Sequence, residues 1–395
     1  MKLLYIGKFM FFKKDGKTFA LPSCSDEFYG KYLDVFSSVR VLGESIKGYL
    51  DSSALVEMQN ERISVELLPP NTSPKDFVND RKILKKLKKE IINADALLIK
   101  PASRKGMMAI KIAKKLNKPY MIEMTGDIHN ALMQNESKIK RFYAPVLYKQ
   151  IKNAIKNCEY GIYVSKTYLQ EKYKIKGKMC GCSDVVLDRA DEFVLEKRLE
   201  KIDKTDLTKP INLCLIGFYQ GKGKGVDTAI RALSRLPQNF NLSVLGNGTK
   251  ENRDKWYAYA KQYGVKEEQL HFPKPLASAK EVLKWLDGFD MLLFPTRSEG
   301  FGRVVAEAMS RGVPCVATDI CTMPELLQKE CLFALDDDKT AAEIIQDMFA
   351  DKEKMKMVAK QNFEHAKDYD FEVLKKRRNE FLLEFKEYCE KFKEK

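Results

Sequence analysis

Histidine is scarce: His129, His271 and His365 are the only three in 395 residues, and they lie far apart in the chain. The nine cysteines are scattered, and Cys180-Gly181-Cys182 is their only close pair. No second pair and no histidine cluster completes a zinc site, so the thiols read as reduced and mostly buried. No apolar run approaches the length of a membrane span. The opening Met1-Lys2-Leu3-Leu4-Tyr5-Ile6-Gly7-Lys8 is too short for a signal peptide, is interrupted by Lys8, and precedes no cleavage pattern. It reads as a first buried strand, and the chain is expected in the cytoplasm. A dehydrogenase is disfavoured, because no Gly-x-Gly-x-x-Gly follows a strand with an acidic residue about twenty positions on. No nucleic-acid-binding motif is present, and no nucleic-acid partner is expected. Internal repeats and low-complexity segments are missing as well.

What remains is an ordinary globular composition, 44% hydrophobic and 32% charged, which leaves ample core for the two or three domains that this length implies. The net charge of +15 is uneven: thirteen Lys or Arg lie between Arg81 and Lys118, against Glu90 and Asp95. Arg81–Lys89, Ile110–Leu116 and Arg141–Lys156 read as basic amphipathic helices, and the third interleaves Phe142, Tyr143, Leu147 and Tyr148 with its cations. Such faces suit an anionic membrane surface or an anionic acceptor; a plain solvated face is the alternative. Strand-like runs at Lys2–Ile6, Ile63–Leu68, Ala96–Ile99, Tyr120–Glu123 and Gly161–Val164 alternate with helical patterns. The alternation restarts at Ile211 and continues through Leu242–Leu245, Leu270–Phe272, Met291–Phe294, Pro314–Ala317 and Leu332–Ala334. That is the pattern of parallel sheets with helices on both faces, in two domains. The expected divisions are 1–190 for the basic first domain, 191–209 for a charged linker, 210–369 for the second domain and 370–395 for a closing amphipathic helix.

The segment Ser298-Glu299-Gly300-Phe301-Gly302-Arg303-Val304-Val305-Ala306-Glu307 follows the apolar run Met291–Phe294 and leads into a helical pattern. It is a strand, a glycine turn and a helix start. Glycines let backbone N–H groups approach a ligand, and a helix N-terminus favours negative charge. Glu299 falls in the loop and Glu307 near the first turns of the helix. Carboxylates accept hydrogen bonds from hydroxyls, so the pair suits a polyhydroxyl ligand that carries phosphate; two solvated helix-start residues are the plainer alternative. With Pro295-Thr296 before it, and Glu307-Ala308-Met309 and Gly312-Val313-Pro314-Cys315-Val316-Ala317-Thr318 after it, the segment resembles retaining glycosyltransferase family 4.

The resemblance implies an α/β chain of GT-B architecture, with two Rossmann-like doubly wound parallel-sheet domains and an interdomain cleft. It implies a retaining transfer of a sugar from a UDP- or GDP-linked donor to an acceptor hydroxyl, with no metal and no other cofactor. The closing helix is expected to pack back on the first domain. The acceptor is expected to be a saccharide or a lipid-linked glycan of cell-surface polysaccharide or glycolipid synthesis, with the enzyme at the cytoplasmic face of the membrane. Gly217-Phe218-Tyr219-Gln220-Gly221-Lys222-Gly223-Lys224-Gly225-Val226-Asp227 resembles the family's diphosphate loop. Lys224 matches the family's Lys, whereas Phe218 stands where an Arg is usual. Lys222 or Arg303 could supply the missing cation.

The resemblance thus assigns catalysis to Glu299, Lys224 and His129, the histidine in the loop after Tyr120–Glu123. Donor binding falls to Glu307, Gly300, Phe301, Gly302, Arg303, Lys222, Gly217, Gly246 in the turn Gly246-Asn247-Gly248, and Asp127. Asp15-Gly16-Lys17-Thr18 matches the family's first-strand glycine loop only weakly. Asp336-Asp337-Asp338 reads as a helix start with Asp338 as N-cap, rather than a metal site. Two other readings stay open: a nucleotide-sugar-binding subunit without catalysis, and a basic peripheral membrane-binding protein.

Overall fold

The computed structural model describes residues 1–46, 55–70 and 74–393. It divides into two compact units: Met1–His129 with Phe142–Cys182 and Lys375–Lys395, and Asn130–Arg141 with Ser183–Leu374.

The first unit is built on a nine-stranded sheet. Its strands are β1 (Lys2–Lys14), β2 (Lys17–Ala20), β3 (Ser38–Ser45), β4 (Val56–Glu57), β5 (Ile63–Leu68), β6 (Ala96–Ile99), β7 (Tyr120–Met124), β8 (Tyr160–Tyr163) and β9 (Lys178–Gly181). The parallel part runs β5-β3-β1-β6-β7-β8-β9. Every side chain of β6, β7 and β8 is buried, as expected of parallel strands covered on both faces. The sheet also carries an antiparallel corner, where β2 pairs with the far end of β1 and with β4. Asp15 (φ 49°) and Gly16 (φ 76°) form the two-residue hairpin turn that makes this corner. Lys17 pairs with Glu57 of β4 at 3.0 Å, and the stretch expected as a glycine loop is this hairpin turn. Helix α1 (Asp80–Asn93) buries Ile83, Leu87 and Ile91 at four-residue spacing and turns its lysines outward. Helix α2 (Arg104–Lys115) starts at an N-cap, Ser103, and buries Ala109, Ile110 and Ala113. The short α3 (Ile128–Met133) follows β7 and α4 (Lys138–Ile155) precedes β8; residues 130–141 of this stretch are counted with the second unit.

The second unit holds a six-stranded, wholly parallel sheet in the order β12-β11-β10-β13-β14-β15. The strands are β10 (Ile211–Ile216), β11 (Phe240–Leu245), β12 (Leu270–His271), β13 (Met291–Phe294), β14 (Cys315–Thr318) and β15 (Leu332–Phe333). Strand order reverses between β10 and β13. In a doubly wound sheet that reversal opens a crevice at the carboxyl ends of the two strands.

The helices that bear on this unit are α5 (Glu192–Asp203), α6 (Val226–Leu233), α7 (Arg303–Ser310), α8 (Asp338–Ala350) and α9 (Lys352–Ala366). Residues 191–209, expected as a linker, contain α5, which packs against α9 inside this unit. Its charge hides the reason. Arg198 is buried and donates to the carbonyls of Phe289 (2.6 Å), Leu286 (3.3 Å) and Arg311 (3.4 Å), groups at helix ends that need a donor. The last helix, α10 (Phe371–Lys393), sets Phe381, Phe385 and Tyr388 against Tyr160, with ring centroids 5.3–5.6 Å apart. Among the described residues no helix is long and apolar enough to cross a membrane.

Candidate active site

Two loops leave the second sheet at the strand reversal. One runs from Gly217 to Gly225 after β10, the other from Pro295 to Gly302 after β13. Gly225 (φ 70°) ends the first loop and starts α6, and a Cβ there would lie 1.8 Å from the Pro295 carbonyl oxygen. The loops are therefore in backbone contact, and only glycine fits at that point. Arg297 fastens them. It is buried and donates both arms of its guanidinium to Asp227, at 2.8 and 2.9 Å, and a further bond to Asp336. It also bonds the Lys222 carbonyl, while its own N–H donates to the Gly223 carbonyl at 2.9 Å. Burial opposes the Arg297 charge, but Asp227 and Asp336 outweigh it and raise its pKa above the ordinary value.

This clamp sets the two expected catalytic side chains of the unit against each other. Lys224 Nζ lies 2.6 Å from Glu299 Oε2, both side chains are about a quarter exposed or less (26% and 19%), and the Glu299 Oε1 accepts from the Gly300 N–H at 3.2 Å. The chain then turns through Phe301 and Gly302 into α7. Gly302 sits at φ 88°, and a Cβ there would meet the Met323 methyl at 2.4 Å. The Phe301 side chain is buried, 5.0 Å from the Tyr369 ring, and its carbonyl accepts from the Thr322 hydroxyl at 2.7 Å. The ring is thus committed to the interior of the unit, which leaves the Phe301 amide as the group available to a ligand. The first N–H groups of α7 lack intrahelical partners and carry the positive end of the helix dipole.

Glu307 lies in the second turn of α7 and is half-buried. Burial pushes its carboxyl up to about 7, and the Arg303 charge, one turn earlier, offsets part of that shift. Arg303 and Lys222 are exposed, and so is Phe218, at 61%. Gly217 and Gly246 end neighbouring strands, joined by the Gly217 N–H bond to the Leu245 carbonyl at 2.8 Å.

In the first unit, His129 is half-exposed at the start of α3, with its ring 5.1 Å from Tyr148. The resemblance puts Asp127 at the donor; the structure instead commits its carboxylate internally. It accepts from Lys172 and Tyr168 (2.5 Å each), Tyr173 (2.8 Å) and the His129 N–H (3.1 Å). Burial alone would raise its pKa, but these donors outweigh burial and hold it below the ordinary range. Asp127 positions the turn that carries His129.

The aspartate triplet is divided among three tasks. Asp337, not Asp338, caps α8, accepting from the Thr340 N–H at 3.0 Å, because Asp338 is already taken by Arg231 (2.7 Å) and Arg235 (2.6 Å). Asp336 serves Arg297. Among the described residues no group of three or more His, Cys, Asp or Glu could hold a metal ion.

Residues 197–365 match the family model described as glycosyl transferases group 1. Protein CapJ of Staphylococcus aureus is 27% identical over 399 residues, spanning 99% of this chain and 97% of its own. The lipopolysaccharide glucosyltransferase WaaG of Escherichia coli K12 is 32% identical over 123 residues, 30% of this chain and 31% of its own. Among solved structures, Anabaena Alr3699/HepE in complex with UDP and glucose superposes with a TM-score of 0.65 at 14% identity, covering 96% of this chain and 98% of that one. The structure of WaaG gives 0.61 at 15% identity, with 96% and 99% covered. The fold is that of the GT-B glycosyltransferases. The family match lies within the second unit.

Reading the sequence for single residues missed the Arg297–Asp227–Asp336 clamp. Its signal was in plain view. An arginine between a buried strand and a glycine turn, and an aspartate two residues after Gly225, both need partners.

Proposed function

We propose that the chain is a retaining glycosyltransferase that moves a sugar from a UDP- or GDP-linked donor to an acceptor hydroxyl, without a metal ion. The observation that carries this reading is the 2.6 Å pair between Lys224 and Glu299 on two loops at the strand reversal. In the free protein the pair holds both groups in place. On donor binding Lys224 turns its charge to the diphosphate, and Glu299 accepts from the sugar hydroxyls. Glu307 accepts from the ribose hydroxyls. The amides at Gly300–Gly302, the α7 N-terminus, and Lys222 or Arg303 take the remaining phosphate charge. Gly217 and Gly246 let the backbone come close to the nucleotide, and the family resemblance is what assigns His129 a role toward the sugar.

In the reaction the bond from the anomeric carbon to the diphosphate oxygen breaks and its electrons leave with the phosphate. The acceptor oxygen bonds to the same face of that carbon, and its proton passes to a leaving phosphate oxygen. Cationic and N–H groups fixed where this charge develops lower the barrier. The acceptor is proposed to be a saccharide or lipid-linked glycan of cell-surface synthesis, reached from the cytoplasm; the similarity to CapJ and to the lipopolysaccharide glucosyltransferase supports it.

A competing reading, a donor-binding subunit without turnover, rests on the exposed Phe218 in place of a loop arginine. A thermal-shift screen of UDP-, GDP- and ADP-linked sugars identifies the donor. Steady release of nucleoside diphosphate with a glycan acceptor, abolished in Lys224→Ala, then supports the enzyme. Donor binding with no release under any acceptor supports the subunit.

A further inference from the structure

The turn that carries Glu299 is held at both ends from one neighbouring loop, residues 319–322 after β14. At the far end the tie is direct: the buried Thr322 hydroxyl donates to the Phe301 carbonyl at 2.7 Å. At the near end it runs through a third side chain. The Asn130 amide donates to the Arg297 carbonyl at 3.1 Å and to the Cys321 Sγ at 3.0 Å. A carbonyl oxygen can only accept, so the amide nitrogen faces it, and the two hydrogens of that nitrogen match the two acceptors. Asn130 is counted with the second unit, as are both of its partners. Glu299 lies midway between the two ties. The Arg297 guanidinium fastens the start of the turn to the Gly217–Gly225 loop, and Asn130 fastens it to the loop on the other side.

Cys321 stands where the backbone asks for glycine. The Met323 N–H donates to the Ile320 carbonyl at 3.0 Å and closes a turn in which Cys321 has φ 51° and Thr322 has φ −91°. A positive φ followed by one near −90° is the type II′ pattern, whose first central position favours glycine. A glycine there would offer the Asn130 amide no acceptor. The side chain that the turn disfavours is therefore the one that ties it to the Glu299 turn. Sulfur is a weak acceptor, so the Arg297 carbonyl holds the stronger of the two bonds.

We propose that Asn130 and Cys321 are a pair of positioning residues for the sugar-binding half of the donor site, setting the Glu299 carboxylate without touching the donor themselves. The inference rests on the reading of Glu299 as the acceptor of the sugar hydroxyls. The groups assigned to the diphosphate have supports of their own. Lys224 precedes Gly225, which is in backbone contact with Pro295, and the α7 tip is set by the Gly302 turn against Met323. Loss of the pair is thus felt by the sugar and not by the diphosphate, because a small displacement of an orienting group is costly only to the part of the ligand that it orients.

Calorimetry of the full chain with UDP and UDP-glucose, and with GDP and GDP-glucose, tests this. Asn130→Ala should weaken the sugar-linked form roughly tenfold and leave the free diphosphate within about twofold. Cys321→Gly relaxes the turn and removes the sulfur acceptor, so its melting temperature should not fall, while affinity for the sugar-linked form drops by roughly threefold. Cys321→Ser keeps an acceptor and should recover most of that loss. Asn130→Ala combined with Cys321→Gly should cost less than the sum of the two, since each removes the same tie. Equal losses for the free and sugar-linked forms would make the pair merely structural and overturn the proposal. So would a preference for the sugar-linked form that Asn130→Ala leaves intact, and that outcome spares the donor site. An unmodified chain that binds none of the four probes, or does not distinguish sugar-linked from free, contradicts the Glu299 assignment itself, and the proposal falls with it.

Discussion

Glu307 carries the clearest pH signature in the molecule. Its carboxyl is pushed from an ordinary 4.5 up to about 7 by burial, against the pull of Arg303. In the proposed role Glu307 accepts from two ribose hydroxyls, and an ionised carboxylate accepts more strongly than a neutral one, so nucleotide affinity should rise with pH through about 7 and then level off. Glu307→Gln should flatten that profile and weaken binding about tenfold, read by calorimetry. The stability of the free protein should move the other way. The unfolded chain gives up this proton near 4.5 and the folded chain at about 7. The neutral form's contribution is therefore complete below the lower value and is lost as pH rises through the upper one. A melting temperature that rises across that window in the free protein, and does so equally in Glu307→Gln, would contradict the assignment. Asp227→Ala leaves Arg297 buried with Asp336 alone, and should destabilise the chain by about 3 kcal/mol in denaturant unfolding.

At the scale of elements, the two glycine turns should differ. Ala at Gly302 suffers left-handed strain of about 1–2 kcal/mol and meets side-chain ends alone, the Met323 methyl and a Leu326 methyl at 3.2 Å. Ala at Gly225 meets a carbonyl oxygen as well, at 1.8 Å, and a backbone atom cannot step aside without parting the loops. Gly225→Ala should lower the unfolding midpoint more, whereas Gly302→Ala should chiefly weaken nucleotide binding through the α7 tip. The sequence showed β13 plainly, since Met291–Phe294 is one unbroken buried run. It hid β3, where Arg40, Gly43 and Glu44 interrupt the apolar pattern. Arg40 is satisfied by Glu90 (2.6 Å) and Glu66 (3.4 Å), and Glu44 by the buried Lys105 at 2.5 Å. Partners fifty residues away in sequence, as Glu90 is from Arg40, leave no local trace. Helix α5 was unreadable as part of a core for the same reason, because Arg198 finds its acceptors about ninety positions on.

For the whole molecule, the alternation of buried runs and helical patterns was enough to read two doubly wound sheets. The strand order that brings the Gly217–Gly225 and Pro295–Gly302 loops together became visible only in the structure. Glu299 and Glu307 were legible because a glycine turn between strand and helix is a local signal. The commitment of Asp127 to Lys172, Tyr168 and Tyr173 was not, because those partners lie more than forty positions away.

The measurement that bears most directly on the donor pocket is a calorimetric comparison of the free nucleoside diphosphate with its sugar-linked form, in the unmodified chain, Glu299→Gln and Glu307→Gln. Glu299→Gln should weaken the sugar-linked form and leave the free diphosphate as tight or tighter, because Lys224 is released to it. Glu307→Gln should weaken both alike. Affinities for both ligands that neither substitution changes would contradict the account.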